Sequence, residues 1–174
     1  MAIYSFEGKV PQIDPLAYIH DSANIIGDVV IGEECFIGAG AIMRGDYGRI
    51  EIGSGTAIEE GCIIHAPPNE TCEIGSGIII GHGAIIHCSK IEDFAFIGMG
   101  AILSIHAVVG EGSVIGEGTI VTQGHIIPPK KVAVGNPVKI IKNVAEQHEE
   151  LQTLGKSLYV ELSRRYRQGL QKLQ

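Results

Sequence analysis

A parallel β-solenoid of six-residue repeats is the fold class that this sequence predicts, and three observations predict it. Aliphatic residues recur every six positions, glycine often follows them, and the 174-residue chain has 24 glycines and no tryptophan. A helix would give spacings of three and four, and a lone strand spacings of two. A period of six is the hexapeptide signature of a parallel β-helix. The repeat runs through Ile13, Ile19, Ile25, Ile31, Ile37 and Met43. It restarts at Ile52, Ile58 and Ile64, and again at Ile74, Ile80 and Ile86. It then continues through Ile91, Ile97, Leu103, Val109, Ile115, Val121 and Ile127. Each hexapeptide makes one short strand and one turn, and three make a triangular coil. The aliphatic residue points inward, and the glycine of pairs such as Ile31-Gly32 and Ile97-Gly98 relieves the turn. Stacked coils bury a column of aliphatic side chains, so few aromatics are needed.

After Gly135-Asn136-Pro137-Val138-Lys139 the period changes. Leu151, Leu154, Leu158, Leu162, Tyr166, Leu170 and Leu173 recur at three and four, the spacing of an amphipathic helix. The chain therefore divides into a β-helix over 1–142 and a helix over 143–174. Asn143 is the candidate cap and Gly155 a candidate break. The helix is expected along the β-helix flank or across a subunit interface, with Arg164-Arg165-Tyr166-Arg167 as a solvated face.

Composition narrows the function classes. A formal net charge of −7 argues against non-specific nucleic-acid binding. No apolar run approaches the roughly 18 residues of a membrane span. Residues 1–7 lack the basic and apolar regions of a signal peptide. Cys35, Cys62, Cys72 and Cys88 form no CxxC pair and read as reduced thiols of a cytoplasmic protein.

The repeat also carries chemistry. His65 and His87 follow aliphatic residues at equivalent repeat positions, in Ile64-His65 and Ile86-His87. They are 22 residues apart, but the segment between Ile64 and Ile74 exceeds one repeat by four, so they lie one 18-residue coil apart. Adjacent strands are about 4.8 Å apart, close enough for two outward imidazoles to share a metal. His82, in Ile80-Gly81-His82, belongs to the preceding face and cannot easily reach the same ion. A neighbouring chain related by a threefold axis could supply it, which predicts a homotrimer with metals at its interfaces. Neutral imidazoles are common metal ligands, and three of them leave a position open as in catalytic sites. His20, His106, His125 and His148 have no such partners and receive no role.

Arg44-Gly45-Asp46, Gly61-Cys62-Ile63-Ile64-His65, Ile80-Gly81-His82-Gly83-Ala84-Ile85-Ile86-His87 and Val134-Gly135-Asn136-Pro137-Val138-Lys139 carry a resemblance over nearly the whole chain. It resembles γ-class carbonic anhydrases and their relatives of phenylacetate-degradation and carnitine operons. Arg44 to Ile50 and the ending around Tyr159 look most like the operon branch. The resemblance implies a left-handed coil. It implies Zn2+, or Fe2+ or Co2+, held by His65, His82 and His87 across a trimer interface, and an intersubunit ion pair of Arg44 with Asp46. Where the family carries Asn-Ile-Gln-Asp, this chain reads Ala57-Ile58-Glu59-Glu60. The matched glutamine touches the metal's water in the family, so Glu59 is a candidate catalytic residue, with Arg44, Asp46 and Tyr159 beside it. The founding enzyme's long acidic loop, which carries a proton-shuttle glutamate, is absent; Ala66 to Cys72 fill its place.

The leading reading is an enzyme in which a metal-activated hydroxide converts CO2 to bicarbonate. The same nucleophile could hydrolyse an acyl-CoA thioester, as the phenylacetate branch implies. For that thioester reading Lys130, Lys131 and Lys139 could meet the coenzyme's phosphates, although such lysines are usually surface charge; a hexapeptide acyltransferase using one histidine as general base and no metal is another alternative, and a non-catalytic scaffold a further one.

Overall fold

The computed structural model describes residues 2–87 and 90–173. The chain winds as a left-handed β-helix with three faces. One face stacks the strands Tyr18–Ile19, Phe36–Ile37, Ala57–Ile58, Ile79–Ile80, Phe96–Ile97, Val114–Ile115 and Lys131–Val134 in parallel register. The other two faces share the long strands Asn24–Ile31 and Ile42–Ile52, which run around a corner and join them into one sheet. The second face continues through Ile63–His65, Ile85–His87, Ile102–Leu103 and Ile120–Val121. The third continues through Thr71–Ile74, Lys90–Ile91, Val108–Val109 and Ile126–Ile127.

The six-residue period becomes the core. Ile25, Ile37, Met43, Ile58, Ile64, Ile80, Ile86, Ile97, Leu103, Val109, Ile115, Val121 and Ile127 are all fully enclosed and form one continuous column. Ile13 is only partly buried, because it lies on the terminal coil with a neighbour on one side. The break between Met43 and Ile52 is the corner-turning strand, where Gly27 and Gly45 approach so closely that a Cβ on either would overlap backbone of the other's strand.

The last strand of the first face, Lys139–Asn143, pairs antiparallel with Lys131–Val134 and closes the solenoid. Asn143 is therefore a strand residue rather than a helix cap, and its side chain accepts a hydrogen bond from Lys131 Nζ at 2.6 Å. The helix Glu146–Gly169 starts after Ala145, whose N–H donates to His148 Nδ1. It is continuous through Gly155, and it ends before Leu170.

The helix lies along the first face; Leu162 and Tyr166 of the predicted stripe face inward, and several of its leucines do not. Tyr159, Leu162 and Tyr166 pack onto Tyr18, Phe36, Ala57 and Ile79, and Ser163 is fully buried. Leu154, Leu158, Leu170 and Leu173 are exposed, and the Leu151 side chain is outside the described residues. The reason is closeness: a Cβ on Gly155 would lie 2.8 Å from Ile79 Cδ1, so the small residue faces the sheet. The arginine cluster is likewise not a simple solvated face. Arg164 pairs with Glu34, Arg167 donates to the Pro15 carbonyl, and Tyr166 stacks edge-on against Tyr18 at 5.1 Å.

Candidate metal-binding and catalytic site

The register brings His65 and His87 together. They are paired residues of adjacent strands on the second face. Their rings are nearly parallel, 11° apart, with centroids separated by 5.1 Å. Each follows a fully buried isoleucine, Ile64 or Ile86, so alternation turns the imidazoles outward.

Arg44 is the register partner of His65 on the next strand. Its Nη1 donates to Asp46 Oδ2 at 2.7 Å, and the Asp46 Oδ1 lies 3.5 Å from His65 Nε2. The Arg44–Asp46 pair closes within one chain, because residues two apart on an extended strand share a side; the resemblance had implied a pair between subunits. At 3.5 Å the Asp46 contact is too long for a good hydrogen bond, and His65 Nε2 is a buried nitrogen with no hydrogen-bond partner. Burial lowers the His65 pKa, Arg44 and His87 lower it further, and Asp46 only partly opposes them. The imidazole is thus kept in the neutral form that ligates metals. Burial raises the Asp46 pKa, but the hydrogen bonds from Arg44 and the Tyr47 N–H outweigh it and hold the carboxyl below its ordinary value.

His82 sits elsewhere, in the turn between Ile79–Ile80 and Ile85–His87, about half exposed. It is on a corner rather than on the preceding face itself. Its Nε2 lies 3.0 Å from Glu59 Oε2, which also accepts the His82 backbone N–H, and its Nδ1 lies 2.7 Å from Glu60 Oε2. Glu59 is buried. Tyr159 joins the group from the helix: burial raises its phenol pKa, and its hydrogen bond with the Glu59 carboxylate raises it further. Glu59 and Tyr159 thus gather around His82, while Arg44 and Asp46 gather around His65 and His87.

Among the described residues, no three His, Cys, Asp or Glu side chains of one chain are arranged to hold a metal. The pair of stacked histidines nonetheless suits one. A buried unpaired imidazole nitrogen is costly, and a cation bridging His65 and His87 would satisfy it. His82 is on an exposed corner, but both of its ring nitrogens face carboxylates of its own chain, so one of those contacts would have to open before it could serve as a ligand.

The segment after His65 is short and tightly held. The Glu70 N–H donates to the Pro67 carbonyl at 3.3 Å, and the Arg49 N–H to the Glu70 carbonyl at 2.8 Å. A Cβ on Gly48 would overlap the carbonyl oxygens of Pro67 and Glu70, so only glycine lets the segment lie down. Glu70 Oε2 is 2.8 Å from His106 Nε2. Sequence reasoning left out Glu60, Glu70 and His106; the 36-residue spacing of the last two, two coils, was the available signal.

Cys35 and Cys62 are buried free thiols, Cys72 is buried, and Cys88 is outside the described residues. No helix is long and apolar enough to cross a membrane. Lys130 pairs with Glu149 and Lys131 with Asn143, so both are engaged by this chain's own side chains.

No family model matches the chain. Carnitine operon protein CaiE of Proteus sp. (strain LE138) is 35% identical over 171 residues, covering 98% of this chain and 86% of that protein. CaiE of Escherichia coli (strain K12) is 34% identical over 163 residues, covering 93% and 83%. Among solved structures, a Bacillus cereus protein provisionally described as an acetyltransferase superposes with a TM-score of 0.93 at 34% identity, covering 95% of this chain and 96% of that one. A hexapeptide transferase family protein from Anaplasma phagocytophilum gives 0.90 at 34%, covering 95% and 98%. With its six-residue coils and relatives matched along nearly their whole length, the chain belongs to the hexapeptide-repeat family, alongside the carnitine operon proteins CaiE.

Proposed function

We propose that this chain is a metal-dependent enzyme whose site is completed between copies of a homotrimer, and that it interconverts CO2 and bicarbonate. The observation that carries this reading is the His65–His87 pair, register-matched and stacked, with a buried nitrogen that lacks a partner. His65 and His87 of one copy and His82 of the next would hold Zn2+, or Fe2+ or Co2+. Held there, the metal would supply a nucleophile at neutral pH by lowering the pKa of water from about 15.7 toward about 7.

The chain's own residues do the rest. Arg44 fixes Asp46, and Asp46 borders His65. Glu59, steadied by Tyr159, and Glu60 each hold one nitrogen of the His82 ring; one of them would remain behind the ligand and the other would give way to the metal. The same arrangement reaching a thioester carbon would hydrolyse an acyl-CoA. Free buried thiols support a reducing, cytoplasmic setting.

A second reading, acyl transfer, is favoured over CO2 hydration by the names of similar proteins, since the Bacillus and Anaplasma structures carry transferase descriptions. In that reading one histidine acts as general base on an acceptor and no metal takes part.

Metal content of untagged protein, measured by mass spectrometry beside His82→Ala, separates the two. About one metal per chain, lost in the variant and accompanied by CO2 hydration, supports the metal reading. Protein that stays metal-free after zinc or anaerobic iron is supplied, yet releases free coenzyme A from an acyl-CoA only when an amine or alcohol acceptor is added, overturns it for acyl transfer.

A further inference from the structure

We infer that the outer leucines of the C-terminal helix are a docking surface for a second copy of this chain, and that they seat on the isoleucine ladder beside that copy's own histidine pair. The inference rests on the trimeric reading above, and concerns which surfaces close around the candidate site.

The helix is anchored along one flank. Lys156 lies over the Phe94 ring at 4.6 Å, Glu149 pairs with Lys130, Arg164 pairs with Glu34, and Arg167 donates to the Pro15 carbonyl. All four contacts are at the corner between the third and first faces. A helix turns about 100° per residue, so Leu154 and Leu158 come round on the opposite flank, toward the corner between the first and second faces. That is the corner of His82, and Tyr159, next to Leu158, reaches it through Glu59. Leu154 and Leu158 are 56% and 59% exposed, and Met99, one coil beyond His82 on that corner, is exposed as well. His82 is thus rimmed by apolar side chains that its own chain leaves uncovered.

The other half of the candidate site has a matching rim. Ile63 and Ile85 precede His65 and His87 by two residues, so alternation turns them outward on the same side. They are register partners of each other, of Ile42 on one side and of Ile102 on the other, and Ile120 follows. Ile42, Ile63 and Ile85 are exposed. A continuous apolar row on an outer face marks a contact surface.

Height decides which surfaces meet. Gly155 lies over Ile79, on the coil of His87, and Tyr159 reaches Glu59, on the coil of His65. Leu154 and Leu158 are therefore level with Ile85 and Ile63. A cyclic axis parallel to the stacking direction moves a copy sideways and never along the stack. His82 and His87 belong to one coil, so the rotation that brings His82 of one copy to the histidine pair of the next also brings its leucines level with that copy's isoleucines. An unrelated partner would have no reason to match both rims at one height.

The test joins the two surfaces covalently. Leu158→Cys and Ile63→Cys, combined in one chain and oxidised briefly, should give covalent trimers on a denaturing gel, while wild type and either single variant should not. Leu154→Asp with Leu158→Asp should lower the mass in solution from three chains toward one and reduce metal content on the order of tenfold. Its β-sheet circular dichroism should be unchanged, because both side chains are exposed in a single copy. Trimers that form no crosslink, or an aspartate variant that keeps its trimeric mass, overturn the docking and leave the metal reading standing. Crosslinked trimers that take up no metal overturn the metal reading and keep the docking. A wild type of single-chain mass overturns both.

Discussion

At the residue scale, one alternation explains both the core and the site. Ile64 and Ile86 point in, and His65 and His87, each one residue later, point out. A one-residue shift would bury the imidazoles and expose the isoleucines, so the aliphatic column enforces the position of the histidines. The buried thiols test the tightness of that column. Burial pushes Cys35 and Cys62 up to about 11, against an ordinary value of 9.0. The thiolate is the reactive species, and at pH 8 a pKa near 11 leaves almost none of it. Iodoacetamide at pH 8 should leave both residues unmodified in native protein and alkylate them in urea, as peptide mass mapping would reveal. Rapid labelling of Cys62 in the native state would contradict the closed interior drawn here.

At the element scale, the helix Glu146–Gly169 links the outside of the solenoid to the His82 corner through Tyr159 and Glu59. Its approach depends on Gly155 above Ile79. Gly155→Ala meets only the flexible end of an isoleucine, and helix propensity gains up to about 1 kcal/mol, so the urea midpoint should hold or rise. Gly155→Leu has no such escape and should destabilise by about 2 kcal/mol. Because the solenoid coils support one another without the helix, that loss should come with lowered metal affinity while the β-sheet circular dichroism is kept. Equal urea midpoints for the two variants would mean that the helix does not seat through this residue.

At the scale of the whole molecule, His82 lies on a different corner from His65 and His87, so under the proposed reading assembly is a chemical requirement. His82→Ala and His87→Ala should each abolish metal binding. Mixed trimers from co-expression of the two should regain some sites, because an interface that pairs intact His65 and His87 with an intact His82 contains no substitution. Random mixing in a cyclic trimer gives about a quarter of wild-type metal content. Mass in solution by light scattering and metal content of the mixed protein check this together. No recovery, with trimers formed normally, would mean that the three histidines act within one copy or not at all.

The sequence by itself determined the solenoid, its inward column and the stacking of His65 on His87, because a six-residue period ties side-chain direction to residue number and a coil of 18 converts spacing into height. It also located the change to a helix, since that is a change of period. Only the tertiary structure decided which side of that helix faces in. Leu162 and Tyr166 of the predicted stripe do face in, but Leu154 and Leu158 do not, because close approach at Gly155 and the aromatic fit of Tyr159 outweigh aliphatic bulk there. It also decided that Asn143 is a strand residue, since antiparallel pairing with Lys131–Val134 occurs after the repeat has ended. The carboxylates around His82 and the Glu70–His106 contact depend on turn geometry and on side chains that cross one or two coils. Period and spacing say which backbone positions stack, but not which long side chains meet across them.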